Sequence, residues 1–446
     1  MHIHATFSDK TSHDIPQIST DELDRNLSFL CNDIGERLAG HTEERQAAAY
    51  IADEFAACGT TVTTETFPIR SRQVVSQELQ ICINGKWESF PCSLFSNTPG
   101  TNGEWIEAPL VVLESPAITV NDDLSHLRHK GVVHLGCHIE SRQAYQRLIE
   151  AEPAFMLFVD IRYPGNTPLA DGMFPAYTDE LGAIPTVNVA YMDAWRWQCE
   201  NASAARLRVE GGMTPAESQN VIGILPGSDP DSGVIYIGAH HDTQADTAGA
   251  NDNASGVISL IALARSLANR PRLRDVRLIS FGAEEQLSQG STAYVRRHRT
   301  ELSGTQQFMF NMDSCGSHLG WNELYCLGPT EMAPWIRSFF AENPLRIVED
   351  DIMPYADHFP FGAAGVPAVT FIRPNCTGGH FFHHRPDDDS SRLSLPGMTS
   401  RLKNISTCVE SLANCVPWPF TGPFQKDQQT AIEAYWKDLF GGWNNK

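Results

Sequence analysis

From about residue 216 the chain alternates short, nearly unbroken apolar runs with helix-length segments. No other feature restricts the fold as much. The runs are NVIGILPG, VIYIGAH, VRLISFGAEE, QFMFNMD and VPAVTFI, and the helix ASGVISLIALARSLANR lies between the second and third. A strand that is apolar on both faces has to be buried on both, and strands separated by helices pair in parallel. The expectation is an α/β fold, a mostly parallel sheet flanked by helices. At 446 residues the chain is too long for one ordinary core, so at least two domains are expected.

Residues 20–57 read as two helices, with apolar residues at helical spacing and Gly59 stopping the second. TVTTETFPI then alternates like a strand. From about 106 to 215 the texture changes to short apolar runs (APLVVLES, GVVHLGC, FMLFVDI, IPTVNVA), with the helix SRQAYQRLIEAE between two of them. This reads as an inserted β-rich domain, in which Trp195 and Trp197 read as core. The expected division is 1–105 and 216–415 for the two parts of one main domain, 106–215 for the insert, and 416–446 for a Pro-rich tail ending in a short amphipathic helix.

The net charge of −21 opposes binding to nucleic acid and to anionic membranes. No window approaches the roughly 18 apolar residues of a membrane span. Eleven cysteines, dispersed and without a CxxC pair, read as mostly free thiols of a reducing compartment. The opening MHIHATFSDKTSHDIPQ lacks the apolar stretch of a signal peptide. A cytoplasmic protein is expected, or a secreted one if a leader has been trimmed. The oligomeric state is not set by the sequence.

The chemistry gathers at the ends of the apolar runs. His240 and Asp242 follow VIYIGA, Asp252 stands in GANDNASG, Glu284 and Glu285 close VRLISFGAEE, Asp313 ends QFMFNMD, and His384 lies in FFHHRPDD. Open α/β sheets place ligands at the carboxyl edge of their strands. Adjacent carboxylates there are costly unless a cation or protons compensate. Two imidazoles with several carboxylates suit a pair of hydrolytic metal ions. Each residue alone has an ordinary reading: Asp252 or Asn253 as a helix N-cap, Glu284 and Glu285 as acids at a helix start, Asp242 as a turn residue. Five coincidences at strand ends outweigh those readings taken together.

His240-x-Asp242, the octapeptide from Gly249 to Gly256, Glu284-Glu285, Asn311-Met-Asp313 and His384 in HRPDD resemble the M28 family of two-zinc exopeptidases. The resemblance covers roughly residues 20–70 and 216–415, and GERLAG is similar to that family's N-terminal region. The insert resembles a protease-associated (PA) domain. The resemblance implies two zinc ions, although the same ligands accept other divalent ions. His240 and Asp313 would hold one ion, Glu285 and His384 the other, and Asp252 would bridge them. Glu284 would be the general base, Asp242 would orient His240, and Asp388 would do the same for His384. The reaction implied is hydrolysis of a terminal peptide bond, releasing the N-terminal residue of a peptide substrate.

Neighbouring residues carry secondary readings. His383, where relatives often have tyrosine, is a pocket wall or a hydrogen-bond donor to the oxyanion. Arg385 pairs with a substrate carboxylate or with the run Asp387-Asp388-Asp389. Tyr355 opens Tyr-Ala-Asp-His, which resembles the family's Ser-Asp-His segment with Ala356 in the serine position, and Asp357 and His358 shape the pocket or support the ligands. Competing functions are a carboxypeptidase or dipeptidase on the same site, a glutaminyl-cyclase-like acyltransferase, and a catalytically silent binding scaffold.

Overall fold

The computed structural model describes residues 18–113, 118–119, 121–136, 139, 141–304 and 306–443. Residues 1–17, on which the reading about a leader rests, lie outside them. Fourteen strands are described: β1 (Thr61–Ile83), β2 (Lys86–Phe90), β3 (Cys92–Leu94), β4 (Ile106–Leu113), β5 (Gly131–Gly136), β6 (Phe155–Asp160), β7 (Thr186–Val189), β8 (Ala204–Leu225), β9 (Val234–His240), β10 (Asp275–Phe281), β11 (Gln307–Met312), β12 (Asn322–Leu327), β13 (Leu345–Val348) and β14 (Ala368–Ile372).

Two long strands organise the rest. β1 and β8 pair antiparallel from Thr61 opposite Ile224 to Cys82 opposite Ala204. One end of this ribbon closes the main sheet, in the order β13-β12-β14-β11-β9-β10-β8-β1. The other end opens a second sheet, in the order β2-β1-β8-β4-β5-β6-β7-β3. Between them β1 carries a bulge at Val74/Ser76, opposite Gly211 and Gly212 of β8. Gly211 has φ +133°, and a Cβ there would lie 2.1 Å from the Gln73 carbonyl oxygen, so no other residue fits this crossing.

In the main sheet β9 runs parallel to β10 and β11, and β11 parallel to β14. Antiparallel pairs lie toward the flanks, β10 with β8 and β14 with β12. Every residue of β9 is buried, as its unbroken apolar run requires. The helix Ser255–Ala268 packs on one face with Thr20–Ser28, Thr42–Ala57 and Leu395–Asn414. The other face is covered by Gln289–Arg297, His358–Ala363 and Lys426–Phe440, through Tyr294, Phe361 and Trp436. The expected mostly parallel sheet flanked by helices is present.

The second sheet has its own core, which starts at Leu79, well before residue 106, and runs to Val209. The strands β4 to β7 pair in parallel. Parallel strands need crossover connections, and the helices Arg142–Glu150, Pro175–Leu181 and Tyr191–Cys199 lie in this region. Only the first shows a clear amphipathic period in the sequence, so the unit is more helical than its β-rich texture suggests. Trp197 is buried, whereas Trp195 is 59% exposed and is not core.

The tail is not an appendage. The side chain of Asp438, on the helix Lys426–Phe440, accepts from Tyr177 Oη at 2.6 Å and from Arg142 Nε at 3.1 Å, tying the main unit to the insert. The ten described cysteines are free thiols. No described helix is long and apolar enough to cross a membrane.

Candidate active site

His240 is the last residue of β9, and Asp313 follows the last residue of β11, so both leave the sheet at its carboxyl edge. Glu284 and Glu285 follow the end of β10 after Ala283, which holds a left-handed turn at φ 51°. Asp252 precedes the helix Ser255–Ala268, and here the capping ambiguity of GANDNASG resolves. Asn253 Oδ1 accepts from Gly256 N at 2.8 Å and Ser314 N at 3.2 Å, so Asn253 caps the helix and joins it to the Asp313 turn. Asp252 is left to face the site. Gly249, at φ 52°, lets the loop fold back, since a Cβ there would lie 2.4 Å from the Asp252 carbonyl oxygen.

The side chains converge. His240 Nε2 lies 3.3 Å from Asp252 Oδ1, 3.6 Å from Asp313 Oδ1 and 3.8 Å from Glu284 Oε2. His384 Nε2 lies 2.9 Å from Glu285 Oε2 and 3.5 Å from Asp252 Oδ2. Asp252 thus faces one histidine with each oxygen and belongs to both groups of residues that could hold a metal ion. His383 Nδ1 comes within 3.1 Å of Asp252 Oδ2, with its ring stacked 3.4 Å from that of His384. His384 sits in the left-handed region at φ 52°, which turns two consecutive imidazoles toward one carboxylate.

The electrostatics ask for a cation. Burial pushes Glu284 well above the usual carboxylate range, helped by the charges of Asp357, Asp313 and Glu285, and pushes Glu285 up to about 7. Burial alone would lower His240, yet Glu284 and Asp313 raise it well above an ordinary histidine. Burial would also raise Asp252, but its hydrogen bonds with His240, His383 and His384 hold it well below the usual range. Without a metal, protons must neutralise this crowd of carboxylates. Buried Asp313 Oδ1 and Glu285 Oε1 have no hydrogen-bond partner among the described residues. Buried carboxylate oxygens left without a donor, beside imidazole nitrogens, fit a divalent-ion site.

Asp242 does more than orient His240. Its Oδ1 lies 3.5 Å from His240 Nδ1, and its two oxygens accept from Glu284 N at 3.0 Å and Glu285 N at 3.2 Å. One carboxylate therefore fixes three residues of the cluster. Asp388 differs from its expected role. It accepts from the backbone N–H groups of Asn251 at 2.9 Å and Asp252 at 3.0 Å, so it holds the Asp252 loop, while His384 Nδ1 has no partner among the described residues. Arg385 takes the second of its two readings, beside the acidic run. It lies over the Phe381 ring at 4.9 Å, 3.7 Å from Asp387, and is not among the residues lining the cavity beside the cluster. Tyr355 does line that cavity and stacks on Phe174. Asp357 is fully buried, and burial raises it to about 7.

One organising residue, Arg37 of GERLAG, carries no role in the sequence reading. Its buried guanidinium donates to the carbonyls of His241 at 2.8 Å, Gly35 at 2.7 Å and Ala248 at 2.8 Å, bracketing the segment between His240 and Asp252. The segment was visible, but an arginine that serves backbone carbonyls leaves no spacing pattern.

The cluster opens into a cavity of about 540 Å³. One wall comes from the insert, through Arg162, Tyr163, Asp171 and Phe174. Arg162 is pinned by Asp160 at 2.5 Å and Asp171 at 3.4 Å. The Tyr163 hydroxyl donates to the Gly378 carbonyl, and Ala170 N donates to the His384 carbonyl at 3.0 Å.

An open α/β sheet with such a cluster at its carboxyl edge, beneath a substrate-sized cavity, places the chain among the metallopeptidase-type hydrolases. Residues 220–409 match the model of peptidase family M28. It is 26% identical to the aminopeptidase YwaD of Bacillus subtilis (strain 168), over 82% of this chain and 79% of that one. A zinc aminopeptidase from B. subtilis shares the fold with a TM-score of 0.74 at 20% identity, covering 92% of this chain and 100% of that chain. An M28 peptidase precursor from Shewanella amazonensis SB2B superposes with a TM-score of 0.77 at 18% identity, covering 92% and 97%.

Proposed function

We propose that this chain is a zinc-dependent exopeptidase that releases the amino-terminal residue of peptides, working with two metal ions and a glutamate base. The observation that carries the reading is the Asp252 carboxylate, which faces His240 with one oxygen and His384 with the other. On this reading His240 and Asp313 hold one ion, Glu285 and His384 the other, and Asp252 both. Bound there, the ions would supply Lewis acidity toward the peptide carbonyl and acidify water.

The chain's own groups supply the rest. Ser288 Oγ donates to Glu284 Oε1 at 3.0 Å, which tethers that oxygen and leaves Oε2 facing the cluster. Oε2 is then placed to take a proton from the attacking water and return it to the nitrogen of the leaving amine. Asp242 prevents the Glu284–Glu285 turn from drifting. His383 stands beside Asp252, as a wall of the site and a donor to oxygen developing there. The names of the relatives support the amino-terminal direction. Arg385, the residue weighed for a terminal carboxylate, does not line the cavity. The expected PA-like character of the insert is retained within this proposal as a wall-building module.

The test is mass spectrometry of an unblocked peptide mixture incubated with zinc-loaded protein, with a chelated control. Chelator-sensitive shortening from the amino end is expected, and shortening from the carboxyl end would overturn the direction. Glu284→Gln should keep its metal and lose about 10²- to 10⁴-fold in kcat. A variant within a few-fold of wild type would remove Glu284 as base.

A further inference from the structure

The far end of the cavity holds a buried carboxylate that the proposed hydrolysis does not use. Trp321, Glu323 and Tyr325 alternate along the start of β12 and line the cavity on one face, with Arg346 opposite Glu323 on β13. The Glu323 side chain is 4% exposed. Its Oε1 accepts from Trp321 Nε1 at 2.6 Å and from Arg346 Nη1, and its Oε2 from Tyr325 Oη at 3.3 Å. Arg346 is unlike the other donors, because its side chain is 65% exposed. It is the donor to Glu323 that solvent reaches most freely, so it is the one an incoming cation can replace without opening the fold. Asp351 lines the same lobe, which leaves Glu323, Arg346 and Asp351 with a net charge of −1.

The lobe also lies at the right distance. β12 is antiparallel to β14 with Glu323 beside Ile372, and β14 pairs with β11, whose end leads into Asp313. Glu323 is thus two strand spacings, about 10 Å, from the strand that presents Asp313 to the cluster. A lysine or arginine side chain reaches about 6–7 Å beyond its Cα, and the reacting carbonyl adds the remainder.

We propose that Glu323 makes this lobe a receptor for a cationic side chain, so that the enzyme prefers peptides beginning with arginine or lysine. The inference rests on the aminopeptidase reading above. A substrate guanidinium takes the place of Arg346 on Glu323, and Trp321 and Tyr325 supply aromatic surface that guanidinium groups favour.

The test compares kcat/KM of the zinc-loaded protein on the 4-nitroanilides of arginine, lysine, leucine and glutamate. Arginine and lysine should lead. Glu323→Gln should lower them about 30-fold or more while leucine changes by a few-fold. A wild-type preference for leucine or glutamate, or a Glu323→Gln loss shared equally by all four, would overturn the proposal and leave the aminopeptidase reading intact. Turnover of none of the four would refute that reading itself. Where Glu323→Gln does not fold, Arg346→Ala carries the test. It frees Glu323 for the substrate and should raise arginine turnover several-fold relative to leucine, and an unchanged or lower ratio overturns the inference.

Discussion

Asp388 offers the sharpest test of how the site is held together. Its carboxylate is 1% exposed and accepts two buried backbone N–H groups, Asn251 at 2.9 Å and Asp252 at 3.0 Å. Asp388→Ala leaves both donors without that acceptor. Each buried donor left unsatisfied costs about 1–3 kcal/mol, so about 2–6 kcal/mol must appear somewhere. If the loop stays in place, the cost appears as lost stability of the metal-free protein in urea. If the loop relaxes, Asp252 leaves its position between the two histidines, and metal affinity falls by the roughly 10- to 100-fold typical of residues that support metal ligands. Asp388→Asn retains one acceptor oxygen and should fall between. The assay pairs chelator competition with urea unfolding. Metal affinity within about two-fold of wild type, together with unchanged unfolding, would refute the assignment of Asp388 to the Asp252 loop.

Two further tests probe the scaffold. Burial pushes Glu44 up to about 8, against hydrogen bonds from Ser218 Oγ at 2.5 Å and Gly40 N at 2.7 Å. The folded chain then keeps a proton that the unfolded chain releases, so this contribution is full below about pH 4.5 and is lost toward pH 8, at about 1.4 kcal/mol per unit. Glu44→Gln should flatten the urea-derived stability profile of the metal-free protein over that window, and parallel profiles would count against it. Asp438→Ala removes the acceptor of the fully buried Tyr177 hydroxyl and one of several acceptors of Arg142. It should cost about 1–3 kcal/mol in urea unfolding, and a change of a few tenths would show that the tail does not clamp the insert.

The convergence of the candidate site was legible because strand burial and the placement of the first polar residue obey the same local rule. An apolar run fixes a buried strand, and its first polar residue falls at the sheet edge, which is how His240 and Asp313 could be read. Asp252 needed more than that rule. Its neighbour Asn253 had equal claim to the cap, and only the contact with Ser314, distant in sequence, separates them. Asp388 lies in a loop whose targets depend on which chain segments approach it, so charge and spacing misdirected its role, whereas Arg385 stays beside its sequence neighbour Asp387. The insert boundary was blurred because β1 runs unbroken through it. A strand that serves two sheets shows no change of texture where it passes from one to the other.

The same continuity bears on how the site works. The insert touches the loop that carries His384 directly. Ala170 N holds the carbonyl of His384, whose φ of 52° lies in the uncommon left-handed region. Tyr163 holds Gly378 and lies against the His383 ring at 5.0 Å. Arg162, just before it, is immobilised by Asp160 and Asp171. The loop that presents His384 is therefore braced from the insert side, just as the Asp252 loop is braced by Asp388 and Arg37. A displacement of the insert along the β1–β8 ribbon would alter the cavity wall and the backbone of His384 together. The insert is thus a structural part of the site, and variants in the Arg162–Ala170 segment should be read for metal affinity as well as for substrate preference.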